Sequence, residues 1–333
     1  MTTGMAVTMA AAAATMTLIH ATAPEAVGRI ERLDPRLDDL IAPGAVIERV
    51  ADGIVWAEGP LWDASRGRLL FSDIPRNAIF AWHPDEGVRL FRPRSGYSGE
   101  ERFAGGEPGS NGLAFDARGR LTFCQHGDRR VVRIEPDGSL TVLADRYQGR
   151  RLNSPNDLVF RSNGDLYFTD PIFGLPGAFD DPGKELPFQG VFRLTPEGDL
   201  TAVITDIRLP NGIAFSPDER TLYVSNSQRS RPVWMAYPVR EDGSVGPGRE
   251  FAEASAWIHP SDGLPDGLEV DRAGHLFATG PGGVHVLAPD GARLGRIVTG
   301  VPTGNVAWGP DGTLYVAANH WILRLRTLTG PAR

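Results

Sequence analysis

Apolar residues along most of this chain alternate with polar ones in runs of four to six, broken by turn-forming dipeptides, and no long 3.6-residue apolar period appears. One phrase recurs: a polar leading residue, usually followed by Gly, an apolar-x-apolar run, a tight turn, and a second apolar run. It reads EGPLWDASRGRLLFSD from Glu58, NGLAFDARGRLTFCQH from Asn111 and NDLVFRSNGDLYFTD from Asn156. It returns as NGIAFSPDERTLYVSN from Asn211, DGLEVDRAGHLFATG from Asp266 and GNVAWGPDGTLYVAAN from Gly304. Further alternating segments with P-D-G or P-E-G turns follow most copies, giving about four strands per unit, as in propeller blades. The fold expected is all-β, a six-bladed β-propeller spanning residues 46–328. The last copy runs short of strands near Arg333, and residues 46–54 supply the missing outer strand, so the amino-terminal strand completes the last blade. Residues 1–45 are left as an extension outside the ring.

Composition narrows the chemistry. Thirty-four Lys and Arg against 41 Asp and Glu give a net charge of −7, which argues against a nucleic-acid footprint. One cysteine, Cys124, excludes an intrachain disulfide and a thiolate metal cluster. No run reaches the roughly 18 apolar residues a membrane helix needs, so neither a membrane nor a nucleic-acid partner is expected. The apolar stretch before Pro24 is leader-like, with Ala-Thr-Ala ahead of the proline. Yet no Lys or Arg precedes Arg29, so the basic start of a leader is missing. The expected location is cytoplasmic, with periplasmic export and cleavage of the extension as the alternative. A monomer or a weak homo-oligomer is expected.

The repeat also gives a geometric argument. The leading residue of each copy opens the innermost strand, so Glu58, Asn111, Asn156, Asn211, Asp266 and Gly304 form one ring around the channel. The second strand returns to the same mouth, bringing the neighbourhoods of Asp73, His126, Asp170, Asn226 and His320. Calcium takes six to eight oxygen ligands from carboxylates, amides and water. Glu58 and Asp266 offer two negative charges, and Asn156 and Asn211 add neutral oxygens. Asn, Asp and Gly before a strand are also ordinary turn residues. Glu58 is not a turn former, and its presence in the register favours the ion.

These phrases resemble the senescence marker protein (regucalcin)/gluconolactonase family over residues 46–327. AEGPLWD, RLNSPNDLVF, LPNGIAFSPD and LPDGLEVD carry the resemblance, and RRLNSPND, CQHGDRRVVR and YFTDPIFGL are similar to its bacterial gluconolactonase branch. The resemblance implies one divalent metal on Glu58, Asn156, Asn211 and Asp266, calcium first and zinc, manganese or magnesium as alternatives. It implies hydrolysis of a sugar lactone such as glucono-1,5-lactone, with the metal polarising the lactone carbonyl. Asp266 is expected as general base, with His126 as the alternative, and Asn111 and Asp170 as substrate contacts, Asp170 alternatively supporting the metal ligands from behind or binding a second, structural calcium. Ser154 stands where regucalcin-like members carry a substrate-binding Arg, so that contact does not transfer. A phosphotriesterase-like hydrolase on the same metal and a non-catalytic binding propeller are the rival readings. Residues 172–190 are expected to roof the mouth with Phe173 and Phe179 as apolar walls. Trp56, Trp62 and Trp308 are expected to pack between blades.

Overall fold

The computed structural model describes residues 19–259 and 262–332. Its antiparallel sheets form six blades around a central axis. The innermost strands are Ala57–Asp63, Ser110–Phe115, Leu158–Phe160, Pro210–Phe215, Leu268–Val270 and Asn305–Trp308, which number the blades one to six. Each blade then runs outward strand by strand in chain order, except that the sixth takes its fourth strand from the start of the chain. Ile47–Asp52 pairs with Trp321–Arg326, Ala51 opposite Ile322, and closes the ring as the repeat predicts.

Period-two alternation makes the blades stack. In the second strand of blade one, Leu69 and Phe71 turn toward blade six, while Leu70 between them turns toward blade two. In blade four, Leu222 and Val224 pack toward blade three and Tyr223 toward blade five. Each blade is thus apolar on both faces, and the buried side chains described fall into one cluster per blade interface. Trp62 stacks on Tyr315 across the seam between blades six and one, at 5.4 Å between ring centroids. Trp308 meets Phe277 edge-on at 5.0 Å between blades five and six. Both serve as interblade packing. Cys124 lies in the core between blades two and three.

The leader-like residues 1–18 lie outside the described residues. Much of the segment 19–45, set outside the ring by the sequence pattern, is built onto it. His20–Ala26 adds a fifth strand to blade six and Arg29–Arg32 a fifth to blade five. Leu37, Leu40 and Ile41, around a short 3-10 turn, are buried in the core between these two blades. Alternation over four residues, Arg29–Arg32, is too brief a signal to separate a strand from a linker.

Candidate active site

The second strand of each blade ends at the same mouth as the ring residues, and in blades one, three and four its last residue holds the incoming chain. Asp73 accepts hydrogen bonds from the Val55 and Trp56 amides (3.1 and 3.2 Å) just ahead of Glu58. Asp170 accepts from the Asn153 and Ser154 amides, both at 2.8 Å, ahead of Asn156. The Asn226 side-chain oxygen accepts from the Leu209 amide ahead of Asn211. Asp170, expected on the substrate, is therefore buried behind the ring, with both oxygens engaged in anchoring a loop. Burial pushes its pKa up to about 7 even so.

The ring itself is packed tightly. A Cβ on Gly59 would stand 2.1 Å from the Asn111 carbonyl oxygen, and one on Gly212 2.3 Å from that of Asp266. Glycine after the leading residue lets neighbouring inner strands approach to this distance. At the sixth position a Cβ on Gly304 would lie 2.1 Å from Glu58 Oε1. The absent side chain in blade six leaves the space the Glu58 carboxylate occupies.

Glu58, Asn111, Asn156, Asn211 and Asp266 line one cavity of about 390 Å³ at the mouth. Trp56, Ile74, Phe173, Leu264 and Pro302 give it apolar walls. Trp56, expected in the core, instead lies against the ring, with its indole nitrogen 3.4 Å from Glu58 Oε1. It precedes the first inner strand, where strand phase does not apply. Phe173 is a wall as expected, whereas Phe179 lies under the Arg208 guanidinium at 4.1 Å and is absent from the lining. Beyond Phe173 the 172–190 segment runs back between blades two and three, where Leu186 joins the core and Arg129 donates to the Gly183 carbonyl. Ser154 turns away from the cavity and donates to the Pro171 carbonyl.

Two charged residues in the lining escaped the sequence reading. Glu107 comes from the long connection between blades one and two, and Arg229 from a blade-four loop. Neither occupies a repeated register, so periodicity carries no signal for them. Arg229 is the one cation in the lining among the described residues.

His126, the alternative base, is fully buried and does not line the cavity. Its Nε2 faces the side-chain nitrogens of Asn156 (3.3 Å) and Asn111 (3.5 Å). Glu107 Oε2 lies 3.0 Å from its Nδ1, close enough to attract a proton there though off the line of a good hydrogen bond. On the other side, Asn211 Nδ2 donates to Ser227 Oγ at 3.0 Å. All three amides thus direct their nitrogens away from the axis, and the Asn111 and Asn156 oxygens are buried without a partner.

Burial raises the Glu58 pKa to about 8, with the Asp157 and Glu107 charges adding to it. Asp266 is pushed well above the carboxylate range by burial and by Glu58. Buried carboxylates beside orphaned amide oxygens form a set of hard donors that repel one another unless a cation lies among them. Among the described residues no three His, Cys, Asp or Glu side chains converge to hold an ion by themselves. The amides must complete the set, and their all-oxygen chemistry fits calcium.

Comparison with known proteins agrees with the fold. Residues 56–320 match the family described as SMP-30/Gluconolactonase/LRE-like region. The chain is 40% identical over 313 residues to a gluconolactonase of Zymomonas mobilis, covering 91% of this chain and 87% of that protein. It is 30% identical over 271 residues to the pentonolactonase XacC of Haloferax volcanii, covering 78% and 80%. A solved gluconolactonase from Xanthomonas campestris superimposes with a TM-score of 0.79 at 32% identity, over 92% of this chain and 98% of the other. The chain belongs to the SMP-30/gluconolactonase family.

Proposed function

We propose that the protein hydrolyses a sugar lactone, glucono-1,5-lactone or a related aldonolactone, to the aldonic acid in the mouth cavity. The likeness to two lactone hydrolases over most of the chain supports the reaction class. The observation that carries the reading is the convergence of Glu58 and Asp266 with three asparagines whose nitrogens all face outward. Glu58, Asn156, Asn211 and Asp266 would hold a divalent cation, calcium by the chemistry of the donors. Such an ion supplies Lewis acidity toward the lactone carbonyl oxygen.

The chain's own residues do the rest. Trp56, Phe173 and Leu264 present apolar surface to the C–H faces of the sugar ring and exclude bulk water. Glu107 and Arg229 reach its hydroxyls, and Asn111 contacts the substrate from the ring. Asp266 takes the proton of the attacking water as its oxygen bonds to the lactone carbonyl carbon. The bond from that carbon to the ring oxygen breaks, and the ring oxygen takes a proton to become a hydroxyl. Burial and Glu58 strengthen Asp266 as a base, whereas a bound cation weakens it. His126 Nε2 is committed to two amides and has no path to the water.

The test is proton release from glucono-1,5-lactone, corrected for spontaneous hydrolysis, on metal-stripped protein with calcium restored. Turnover is expected to need the cation and to fall at least about 100-fold in Asp266→Asn. Absence of turnover in folded protein that binds calcium would overturn the lactonase reading.

A further inference from the structure

His126 and Ser227 occupy the same place in two copies of the repeat. Each follows the last residue of its blade's second strand, and each donates its backbone amide to the carbonyl two residues before the ring asparagine. His126 does so to Gly109 at 3.1 Å, ahead of Asn111, and Ser227 to Leu209 at 2.9 Å, ahead of Asn211. Ile74 makes the same bond to Trp56 in blade one. In blade three Pro171 stands at this register and lacks the donor. The backbone bond recurs in blades one, two and four, and in blades two and four the place also carries a hydrogen-bonding side chain next to a ring amide.

In both blades that side chain is an acceptor. The Ser227 hydroxyl donates to the Pro265 carbonyl at 2.6 Å, which leaves its lone pairs to receive Asn211 Nδ2. His126 meets two amide nitrogens with one ring nitrogen, an arrangement that requires a bare lone pair on Nε2 and the proton on Nδ1. Glu107 stands on the Nδ1 side and favours that tautomer. Gly174 allows the 172–190 segment to press on the ring, since a Cβ there would come 2.6 Å from His126 Cβ. A side chain so enclosed has little freedom to turn over.

We propose that His126 and Ser227 are positioning residues that fix the rotation of Asn111, Asn156 and Asn211, so that three amide oxygens and no amide nitrogen face the axis. An unrestrained amide beside Glu58 and Asp266 would turn its N–H groups to the carboxylates and offer a cation hydrogens instead of oxygens. Partners of this kind commonly change metal affinity 10- to 100-fold. The inference rests on the cation reading of the cavity, and its test has one arm that does not.

The first arm is nitrogen NMR of His126 in the metal-free protein. A proton on Nδ1 and none on Nε2 is expected; a proton on Nε2 would overturn the proposal whether or not any metal binds. The second arm is calcium titration calorimetry on the whole chain. His126→Leu, which removes the acceptor, is expected to weaken binding at least about 10-fold, and Ser227→Ala likewise. His126→Gln, whose Oε1 can still accept, is expected to stay within about 3-fold of wild type. Leu37→Ala, remote from the cavity, controls for general destabilisation. Wild-type affinity in a folded His126→Leu protein would overturn the proposal. If wild type binds no calcium but carries the Nδ1 proton, amide positioning stands and the cation reading falls.

Discussion

Asp170 illustrates how one residue position separates anchoring from chemistry in this repeat. Its two oxygens take the Asn153 and Ser154 amides, and the arrangement predicts what its loss does. In Asp170→Asn one oxygen becomes an N–H group facing a backbone N–H, leaving a buried donor unsatisfied. Urea unfolding should register a loss of about 1–3 kcal/mol. A substrate contact would behave differently, raising KM with stability intact, and that result would return Asp170 to the cavity. The ring residues were legible because six copies put them in one register, and Glu58 broke the turn-former rule there. The residues behind them were not, because Asp73, Asp170 and Asn226 share the mouth with the ring and differ from His126 and Ser227 by one position. Which of two adjacent positions faces a cavity is decided by the hydrogen bonds of the incoming loop. Those bonds are long-range and leave no mark on local sequence pattern.

At the scale of elements, alternation identified strands well where a blade repeats and poorly where it does not. The four-strand unit and its turns followed from periodicity, and the closing strand at 46–54 from the requirement that the ring close when the last copy runs short of strands. The edge strands at His20–Ala26 and Arg29–Arg32 did not, since an added outer strand is specified by the blade it joins. The 172–190 segment was legible as an insertion, but a run of Gly and Pro does not say which way it folds back. Blade five carries a feature that neither pattern nor motif pointed to. His285 in its third strand is fully buried against Trp234 and Trp257, and donates from Nε2 to the Pro281 carbonyl at 3.0 Å. Burial, with Arg293 nearby, lowers its pKa to about 3. The folded state therefore holds the neutral ring while the unfolded chain takes up a proton near pH 6.5. The penalty is absent above pH 6.5 and grows as pH falls toward 3. It reaches the order of 3 kcal/mol at pH 4. Chemical denaturation of wild type and His285→Phe across pH 7 to 4 should show the difference moving by that amount in the variant's favour. A difference independent of pH would mean that the buried imidazole charges freely.

For the molecule as a whole, the cavity and the closure of the ring are one problem. Glu58 belongs to blade one and fills the space above Gly304 in blade six, so the first and last ring positions meet across the seam where the chain ends join. Asn156, Asn211 and Asp266 come from blades three, four and five. An ion held by this set ties blade one across the axis to the opposite side of the ring. Without it, Glu58 and Asp266 cannot both ionise without repelling each other, and nothing bridges them to the seam, where Ile47–Asp52 is held by pairing with Trp321–Arg326 and by the strand His20–Ala26. Ligand linkage adds about 2.7 kcal/mol of stability at calcium 100-fold above its dissociation constant. The coupling predicts where that stabilisation appears. Hydrogen exchange followed by mass spectrometry should show chelation speeding exchange in 47–52, 321–326 and the inner strand from Ala57. The outer strands of blades two and three should change less, because their pairing crosses no seam and their edges touch no ligand. Uniform acceleration around the ring would mean that the ion stabilises each blade alike and the seam has no special dependence on it. Protection confined to the seam would tie the binding of one ion to the way the two ends of the chain are held together.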